Sequence, residues 1–336
     1  MPELTVLMAV YNAEAYLREA IESILDQTFT DFEFLIINDG STDASKAIIS
    51  KYKDPRIHLV NNAQNMGLTS SLNRGLALTT TPLIARQDAD DISHPHRLEK
   101  QVDFLNKHSN IALVGSQGYN FYTTGKKKEF MYRALEDLSI RWEFLFYNSF
   151  IHTAVMFRRD TMYTELGGYD ETVNYCQDYE LWSRCMRKYE VANLPDALIH
   201  RRIHDASMTS TMQENRLSES LRVGQYHLQT LFGTNPFNDT YAKLLTFLQT
   251  QNQEQFAQHY QTFFELLAHY KTQNQHHQTS HDFSKTVLRQ YIRMISQVQN
   301  KNRLQGLQMV LKTPQNTPRS LFSLPWHRII AKTVRS

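Results

Sequence analysis

Apolar residues in the first third of the chain follow two alternating patterns, short continuous runs and stripes with helical spacing. The stripes predict helices, and the first two begin near Asn12 and Ser41, whose side chains suit the N-cap position. The later stripes lie at Leu68–Leu76 and Arg97–Lys107. The runs have strand length and lie at Leu4–Val10, Phe32–Ile37, Ile57–Val60, Leu83–Ala85 and Ile111–Gly115. This alternation predicts an α/β fold with helices on both faces of a mostly parallel, mixed sheet.

The pattern changes near residue 213, where glycine becomes scarce and glutamine abundant. We therefore predict two domains, an α/β domain over 1–212 and a helical C-terminal extension over 213–336. Residues 276–281 form a polar linker inside the extension. One helical stripe in it is aromatic and is most simply part of a core: Phe256, Tyr260, Phe263, Phe264 and Leu267.

Composition narrows the class of protein. The chain has 336 residues, of which 41% are hydrophobic and 21% are charged, as in a folded globular protein. Its two cysteines favour a reducing compartment. The N-terminus lacks the features of a signal peptide, and no apolar run approaches the roughly 20 residues that span a bilayer. The expected location is therefore the cytoplasm.

The net charge of +2 hides an asymmetry. Residues 282–336 contain ten Lys or Arg and one acidic residue, and large apolar residues lie between them. This pattern suits the surface of an anionic membrane, so we expect peripheral contact at its inner face. The alternatives are a helical face packed on the rest of the chain and a grip on nucleic acid.

Carboxylates stand where the strands end. Asp88, Asp90 and Asp91 follow the fourth predicted strand, and the chain has neither a G-x-G-x-x-G nor a G-x-x-x-x-G-K-[ST] motif. Clustered carboxylates suit Mg²⁺ or Mn²⁺, which bind one or two protein carboxylates together with substrate phosphates. A solvated acidic turn is the alternative. Carboxylates at this edge would repel nucleic acid, which we therefore do not expect as a partner.

Several motifs occur in a fixed order over residues 3 to about 210: Val10-Tyr11-Asn12, Asn38-Asp39-Gly40-Ser41-Thr42-Asp43, Asn65-Met66-Gly67, Asp88-Ala89-Asp90-Asp91 and Asp178-Tyr179-Glu180-Leu181-Trp182. This set resembles the family 2 glycosyltransferases, inverting enzymes of the GT-A fold that use nucleotide-diphospho-sugars. It is most similar to the bacterial members that build lipopolysaccharide or capsule. The residues after 213 carry no motif of that family.

The resemblance assigns a donor-nucleotide site to five residues. Asp39 would bind the base, usually uracil, and Tyr11 would lie against it. Ala9 on the first strand, with Arg86 and Asp88, would line the same pocket. Each role has a structural alternative, because Asp39 also suits an Asx-turn and Arg86 suits an ion pair with the nearby aspartates.

The resemblance also assigns a metal site and a catalytic base. Asp90 and His204 would hold Mn²⁺ or Mg²⁺, and Asp178 would accept the proton of the acceptor hydroxyl. The alternatives are a structural role for His204 and an N-cap role for Asp178. Gln177 stands where relatives often carry an acidic residue, and Glu180 is the next candidate for the base.

The resemblance therefore implies a metal-assisted, inverting glycosyltransferase. It would move a sugar, by default from a UDP-sugar, to a hydroxyl of a glycan or lipid-linked acceptor. His152 and Thr153 fall in a segment that resembles the acceptor-side wall of the family. Two alternatives stay open at this point, a nucleotidyltransferase that acts on a sugar phosphate and a non-catalytic module that binds nucleotide sugars.

Overall fold

The structure of the chain is a computed structural model that describes residues 2–123, 128–204, 213–233, 238–250, 256–274 and 280–296. The chain divides into two compact units, one of residues 1–140 and 148–223 and the other of residues 141–147 and 224–336. The division falls inside a helix that begins at Gln213, about ten residues after the end of the predicted α/β domain.

The described residues of the first unit contain one mixed sheet with the order β3-β2-β1-β4-β8-β6-β9-β5, and β7 pairs with β6. The strands are β1 (Leu4–Val10), β2 (Phe32–Asn38), β3 (Ile57–Asn61), β4 (Leu83–Asp88), β5 (Ile92–Ser93), β6 (Ile111–Tyr122), β7 (Glu129–Met131), β8 (Met156–Arg158) and β9 (Glu190–Ile203). Strands β1 to β4 are parallel, β8 runs antiparallel to β4 and β6, and β9 is parallel to β6. The predicted α/β fold with a mostly parallel, mixed sheet is confirmed.

The described helices lie between these strands and after them. They are α1 (Leu17–Leu25), α2 (Ser45–Lys51), α3 (Leu68–Leu78), α4 (Arg97–Lys107), α5 (Asp137–Glu143), α6 (Gln177–Cys185), α7 (Gln213–Phe232), α8 (Asn238–Thr250), α9 (Phe256–Gln273) and α10 (His281–Ser296). A 3-10 turn covers His152–Ala154 and a π-helical segment covers Asp160–Glu165. The described part after residue 213 is helical, as predicted.

The two predicted N-caps are wrong. Helix α1 begins after Tyr16 and α2 after Ala44, and neither has a side-chain cap. The side chains of Asn12 and Ser41 bond across the gap between the two loops instead. Asn12 Oδ1 accepts the N–H of Thr42 at 2.9 Å, and Ser41 Oγ accepts the N–H of Asn12 at 3.1 Å. Parallel β1 and β2 bring these loops together, so that each polar group finds a partner in the neighbouring loop.

Aromatic residues form the core of the second unit. The ring of Trp142, which is fully buried, packs against Phe263 and Tyr270 with centroid distances of 5.7 and 5.3 Å. The core role predicted for the aromatic stripe is therefore confirmed for Phe263 and Leu267, both buried. None of the described helices combines the length and apolar character needed to cross a bilayer. Residues 276–279 of the predicted polar linker and the basic segment from residue 297 onward lie outside the described residues, and His281 at the end of the predicted linker begins α10.

Candidate functional site

The carboxyl ends of β1, β2 and β4 meet at one edge of the sheet. Ala9 pairs in register with Ile37 on one side and with Asp88 on the other. The N–H of Asp39 bonds to the carbonyl of Val10 at 2.8 Å. Tyr11, at the end of β1, is 48% exposed, which leaves its ring open to a ligand. Four residues predicted from the sequence, Ala9, Tyr11, Asp39 and Asp88, therefore lie at one edge.

Asp39 is buried and organises the loop after β3. Its Oδ1 accepts the N–H of Met66 at 2.8 Å and the amide of Asn62 at 2.7 Å, and its Oδ2 accepts the N–H of Gly67 at 2.9 Å. A carboxylate has about four acceptor positions, so three donors leave capacity for one more. The Asx-turn alternative does not describe these contacts, because the partners of Asp39 come from another loop.

Gly40 permits this approach of two loops. Its φ is +67°, and a Cβ at this position would lie 2.4 Å from the backbone carbon of Gln64. Only glycine combines that left-handed backbone with so close a contact. Close packing of the two loops therefore explains why glycine occupies this position of the Asn-Asp-Gly-Ser motif.

The acidic turn begins with an ion pair. Arg86 is buried and its Nη2 lies 2.5 Å from Oδ1 of Asp88. Burial is the largest single effect and raises the pKa of Asp88. The charge of Arg86, its hydrogen bond to Asp88 and smaller effects of nearby groups together outweigh burial, so the pKa lies below its usual value. Nε of Arg86 has no hydrogen-bond partner among the residues that the structure describes. Arg86 is thus the partner of an aspartate, and its contact with a nucleotide stays a prediction.

The other two carboxylates of the turn meet the end of β9. Nε2 of His204 lies 3.0 Å from Oδ2 of Asp90, and Oδ1 of Asp91 accepts the N–H of Arg202 at 2.8 Å. Burial and the charge of Asp88 raise the pKa of Asp90. The hydrogen bond with His204 lowers this pKa but does not offset the other two effects. Burial and both neighbouring aspartates raise the pKa of Asp91 well above its usual value. The turn therefore concentrates negative charge that a cation would stabilise.

Arg202 locks the turn in place. Its Nε donates to the carbonyl of Asp90 at 2.9 Å and its Nη2 pairs with Glu19 at 2.9 Å. Its guanidinium group also lies over the rings of Tyr16 and Phe121, 4.4 and 4.5 Å from their centroids. Arg202 lies near the end of β9 and precedes His204, which follows the strand, by two residues.

Asp90 and His204 fit a divalent cation. Two ligand atoms at a right angle around an octahedral ion, each about 2.1 Å from it, lie about 3 Å apart, as the Asp90 and His204 atoms do. Among the described residues, no three His, Cys, Asp or Glu side chains converge as a metal site. Mg²⁺ and Mn²⁺ keep coordination positions for substrate phosphates, so a protein site with two donors suits them.

Asp178 lies in the first turn of α6, which begins after Cys176, so the N-cap alternative is wrong. Its Oδ1 accepts the N–H of Tyr179 at 2.8 Å, and its Oδ2 accepts the amide of Asn148 at 2.7 Å. The side chain is half-buried, so part of it is accessible to solvent. These two donors help to fix the orientation of the carboxylate.

Glu180 has a different environment. Both of its oxygens bond to Arg184, at 2.6 Å from Nε and 2.7 Å from Nη2. Arg184 also donates to the carbonyl of Gly168 at 2.7 Å, which ties the preceding turn to α6. A bidentate ion pair occupies Glu180, so it is less suited than Asp178 to accept a proton.

A histidine and a tyrosine lie between the acidic turn and α6. Nε2 of His152 lies 3.0 Å from the hydroxyl of Tyr169. Burial and the charge of Arg86 lower the pKa of His152 to about 3, so its imidazole is neutral at pH 7. Burial raises the pKa of Tyr169, on which Arg86, Asp178 and Asp88 all act electrostatically. The predicted donor and base residues therefore share one region.

Thr153 and Asn148 extend this region. Oγ1 of Thr153 accepts the N–H of Asp88 at 3.0 Å, so the turn that was predicted as an acceptor-side wall reaches the acidic turn itself. Sequence reasoning missed Asn62, Asn148 and Arg202, because their partners are distant in sequence. Two of them had a weak signal, since Arg202 precedes His204 and Asn62 precedes the Asn-x-Gly motif, whereas Asn148 adjoins no motif.

Comparison with known sequences identifies relatives over this part of the chain. Residues 5–164 match the family described as Glycosyl transferase family 2. An uncharacterized glycosyltransferase of Haemophilus influenzae is 34% identical over 239 residues, which span 66% of this chain and 71% of the relative. The putative glycosyltransferase EpsE of Bacillus subtilis is 36% identical over 59% of this chain and 72% of its own. The amylovoran biosynthesis glycosyltransferase AmsE of Erwinia amylovora is 34% identical over 58% of this chain and 74% of its own.

Solved structures share the fold. The structure of S. aureus TarS 1–349 in complex with UDP-GlcNAc matches 96% of this chain and 91% of its own, with a TM-score of 0.59 and 16% identity. The mannosyltransferase PcManGT of Pyrobaculum calidifontis, in complex with GDP-Man and Mn²⁺, matches 90% of this chain and 87% of its own, with a TM-score of 0.51 and 15% identity.

Proposed function

Since the chain belongs to glycosyl transferase family 2, we propose that it transfers a sugar from a nucleotide-diphospho-sugar to a hydroxyl group of a glycan or lipid-linked acceptor. The chain has the GT-A fold and is a glycosyltransferase of the bacterial polysaccharide type. The proposal adds the donor, the acceptor, the metal, the inverting stereochemistry and the roles of individual residues.

The main support for this function is the contact between Asp90 of the acidic turn and His204. This contact lies at the edge of the sheet where Tyr11 and Asp39 also lie. In a mostly parallel sheet this edge is the usual place for a nucleotide. The exposed ring of Tyr11 offers a face for the base, and the remaining acceptor capacity of Asp39 suits a base N–H. A uracil imide supplies such a donor, so UDP is the first nucleotide to test.

Asp90 and His204 are proposed to hold Mn²⁺ or Mg²⁺ beside the diphosphate. A bound cation of this kind would offset negative charge that develops on the leaving diphosphate. Arg86 keeps Asp88 ionised, and Arg202 holds the carbonyl of Asp90 in place, so the chain itself orients the carboxylates. PcManGT, which shares the fold, is solved with GDP-Man and Mn²⁺, which makes Mn²⁺ a suitable cation to test with this chain.

Asp178 is proposed as the general base. The acceptor hydroxyl oxygen forms a bond to the anomeric carbon, the bond from that carbon to the diphosphate oxygen breaks, and the hydroxyl proton passes to Asp178. Attack from the face opposite the diphosphate inverts the configuration. The bonds from Asn148 and Tyr179 orient the carboxylate for this role.

The test is a thermal-shift series with UDP, GDP, CDP and dTDP, each with and without Mn²⁺, followed by sugar-nucleotide hydrolysis and NMR of the transferred anomeric proton. The matching nucleotide should raise Tm, and more so with Mn²⁺, because it binds the folded state. Release of pyrophosphate from a nucleoside triphosphate and a sugar phosphate would instead indicate a nucleotidyltransferase. Binding without turnover of any donor would indicate a non-catalytic module.

A further inference from the structure

Arg97, the first residue of α4, is a fully buried arginine, and within the part of the chain that the structure describes it donates hydrogen bonds to neutral groups alone. Its Nη1 donates to Oε1 of Gln87 and Oγ of Ser93, both at 2.8 Å. Its Nη2 donates to the carbonyls of Arg86 at 2.6 Å and Val155 at 3.3 Å. Its Nε donates to Gln101 at 3.1 Å.

A buried charge without a carboxylate partner is costly, so its retention calls for a reason. All five N–H groups of Arg97 are used, which satisfies the guanidinium group but does not neutralise it. Burial and the charge of Arg86 lower the pKa of Arg97 to about 9, so it stays protonated at pH 7. Asp91 and Asp88 act in the opposite direction, which means that the acidic turn attracts this charge.

The acceptors of Arg97 flank the acidic turn on both sides. Arg86 and Gln87 come immediately before Asp88, and Ser93 follows Asp91 by two residues. Gln87 in turn links Arg97 to the acidic turn. Its Nε2 donates to the carbonyl of Asp91 at 2.9 Å and to that of Asp88 at 3.1 Å. Arg97 therefore holds Gln87, and Gln87 holds both ends of the turn.

Arg97 also fixes the segment opposite the turn. It reaches the carbonyl of Val155, and its partner Gln101 donates to the carbonyl of Ala154 at 2.8 Å. The same segment contains Thr153, whose hydroxyl accepts the N–H of Asp88. The acidic turn is thus held by Gln87 within its own segment and by Thr153 from the neighbouring segment.

From this network we infer that Arg97 is a positioning residue, whose charge and planar fork hold the Asp88–Asp91 turn, through Gln87, in the conformation that binds the cation. This inference rests on the proposed metal site at Asp90. Arginine is required rather than lysine, since a single ammonium group cannot serve acceptors on both sides of the turn at once.

The test uses Arg97→Lys and a matched control, Arg158→Lys. Arg158 also donates to main-chain carbonyls, those of Leu105, His108 and Ile111, but it pairs with Leu83 at the opposite end of β4. Mn²⁺ affinity in the presence of UDP is measured by EPR of free Mn²⁺, and stability by urea unfolding. Arg97→Lys should weaken Mn²⁺ binding by about 10- to 100-fold, the usual cost of losing support behind a metal ligand, while Arg158→Lys should leave it unchanged.

Gln87→Met provides the second variant, because it breaks the link while Arg97 remains. Gln87→Met should also weaken Mn²⁺ binding, and the double variant should lose little more than the larger single loss, since both residues act in one chain of bonds. If Arg97→Lys folds and binds Mn²⁺ like the wild type, the inference is wrong. If Arg97→Lys does not fold, normal Mn²⁺ binding by Gln87→Met would likewise overturn the inference. Failure of the wild-type chain to bind Mn²⁺ would overturn the metal site itself, and with it this inference.

Discussion

Nε2 of His204 lies 3.0 Å from Oδ2 of Asp90, although 114 positions separate the two residues in sequence. Asp90 lies between β4 and β5, and His204 follows β9, which pairs with β5. Sheet pairing therefore builds the candidate metal site from two distant segments.

Asp90→Asn is expected to abolish Mn²⁺-dependent binding of the donor. The amide has the shape of the carboxylate but lacks the charge that attracts a divalent cation. Isothermal titration with UDP, with and without Mn²⁺, measures the effect. Asp103→Asn is the matched control, because Asp103 is an exposed carboxylate on α4 that pairs with Lys107. A Mn²⁺ effect in Asp90→Asn equal to that in the wild type would contradict the assignment.

Asp178→Asn is expected to slow sugar transfer by roughly 10²- to 10⁴-fold, because it removes a positioned base. The affinity for the donor should change little, so the loss should appear in kcat. Single-turnover transfer and donor titration separate the two quantities. Glu180→Gln should mainly lower Tm, since it breaks the ion pair with Arg184. Near-normal transfer by a folded Asp178→Asn variant would place the base elsewhere.

Tyr11→Ala is expected to weaken nucleotide binding without lowering stability. Stacking of a base on an aromatic ring contributes about 1–3 kcal/mol, so Kd should rise by roughly 5- to 150-fold. The ring is 48% exposed, so its removal should change Tm little. Phe130→Ala serves as the control, because Phe130 is a comparably exposed aromatic on β7. Equal nucleotide affinity in both variants would exclude the stacking role.

Asp39→Asn is expected to lower both stability and donor affinity. The new amide N–H₂ would face one of the N–H groups that the carboxylate now accepts, and a buried donor without a partner costs about 1–3 kcal/mol. Urea unfolding and UDP titration on one sample measure both effects. The contrast with Tyr11→Ala, where only affinity changes, distinguishes a residue that builds the loop from one that only touches the ligand.

His152 should make the folded chain sensitive to acid. Its pKa falls to about 3 on folding, from about 6.5 in an unfolded chain, so the unfolded state binds the proton more readily. Its contribution to stability is therefore complete above about pH 6.5 and declines as the pH falls toward 3. Urea midpoints at pH 7.5 and pH 5 should differ less for His152→Gln than for the wild type. His58→Gln, at an exposed position, is the control, and parallel losses in all three proteins would refute the prediction.

The bounds of strands and helices could be predicted from the sequence best in the N-terminal third of the chain. The predicted strand at Leu4–Val10 and the predicted helix over Arg97–Lys107 have the bounds that the structure shows. Hydrophobic periodicity reports the neighbours of a residue along the chain, and these elements depend mainly on such neighbours. The contact of residues 282–336 with an anionic membrane stays a prediction, because residues from 297 onward lie outside the described part of the chain.

What the sequence by itself determined is which chemical groups follow the strands, namely Tyr11, Asp39, the Asp88–Asp91 turn and His204, and that Asp178 lies at the start of a helix. Tertiary structure alone decided which of them meet. Strand β8 lies between β4 and β6, which brings Thr153 within hydrogen-bond distance of Asp88. Strand β5 pairs with β9, which brings His204 within hydrogen-bond distance of Asp90. The pairing of strands also made Asn12 and Ser41 partners of a neighbouring loop rather than helix caps. Hydrogen bonds of this kind depend on the order of strands in the sheet, and local sequence patterns carry no record of that order.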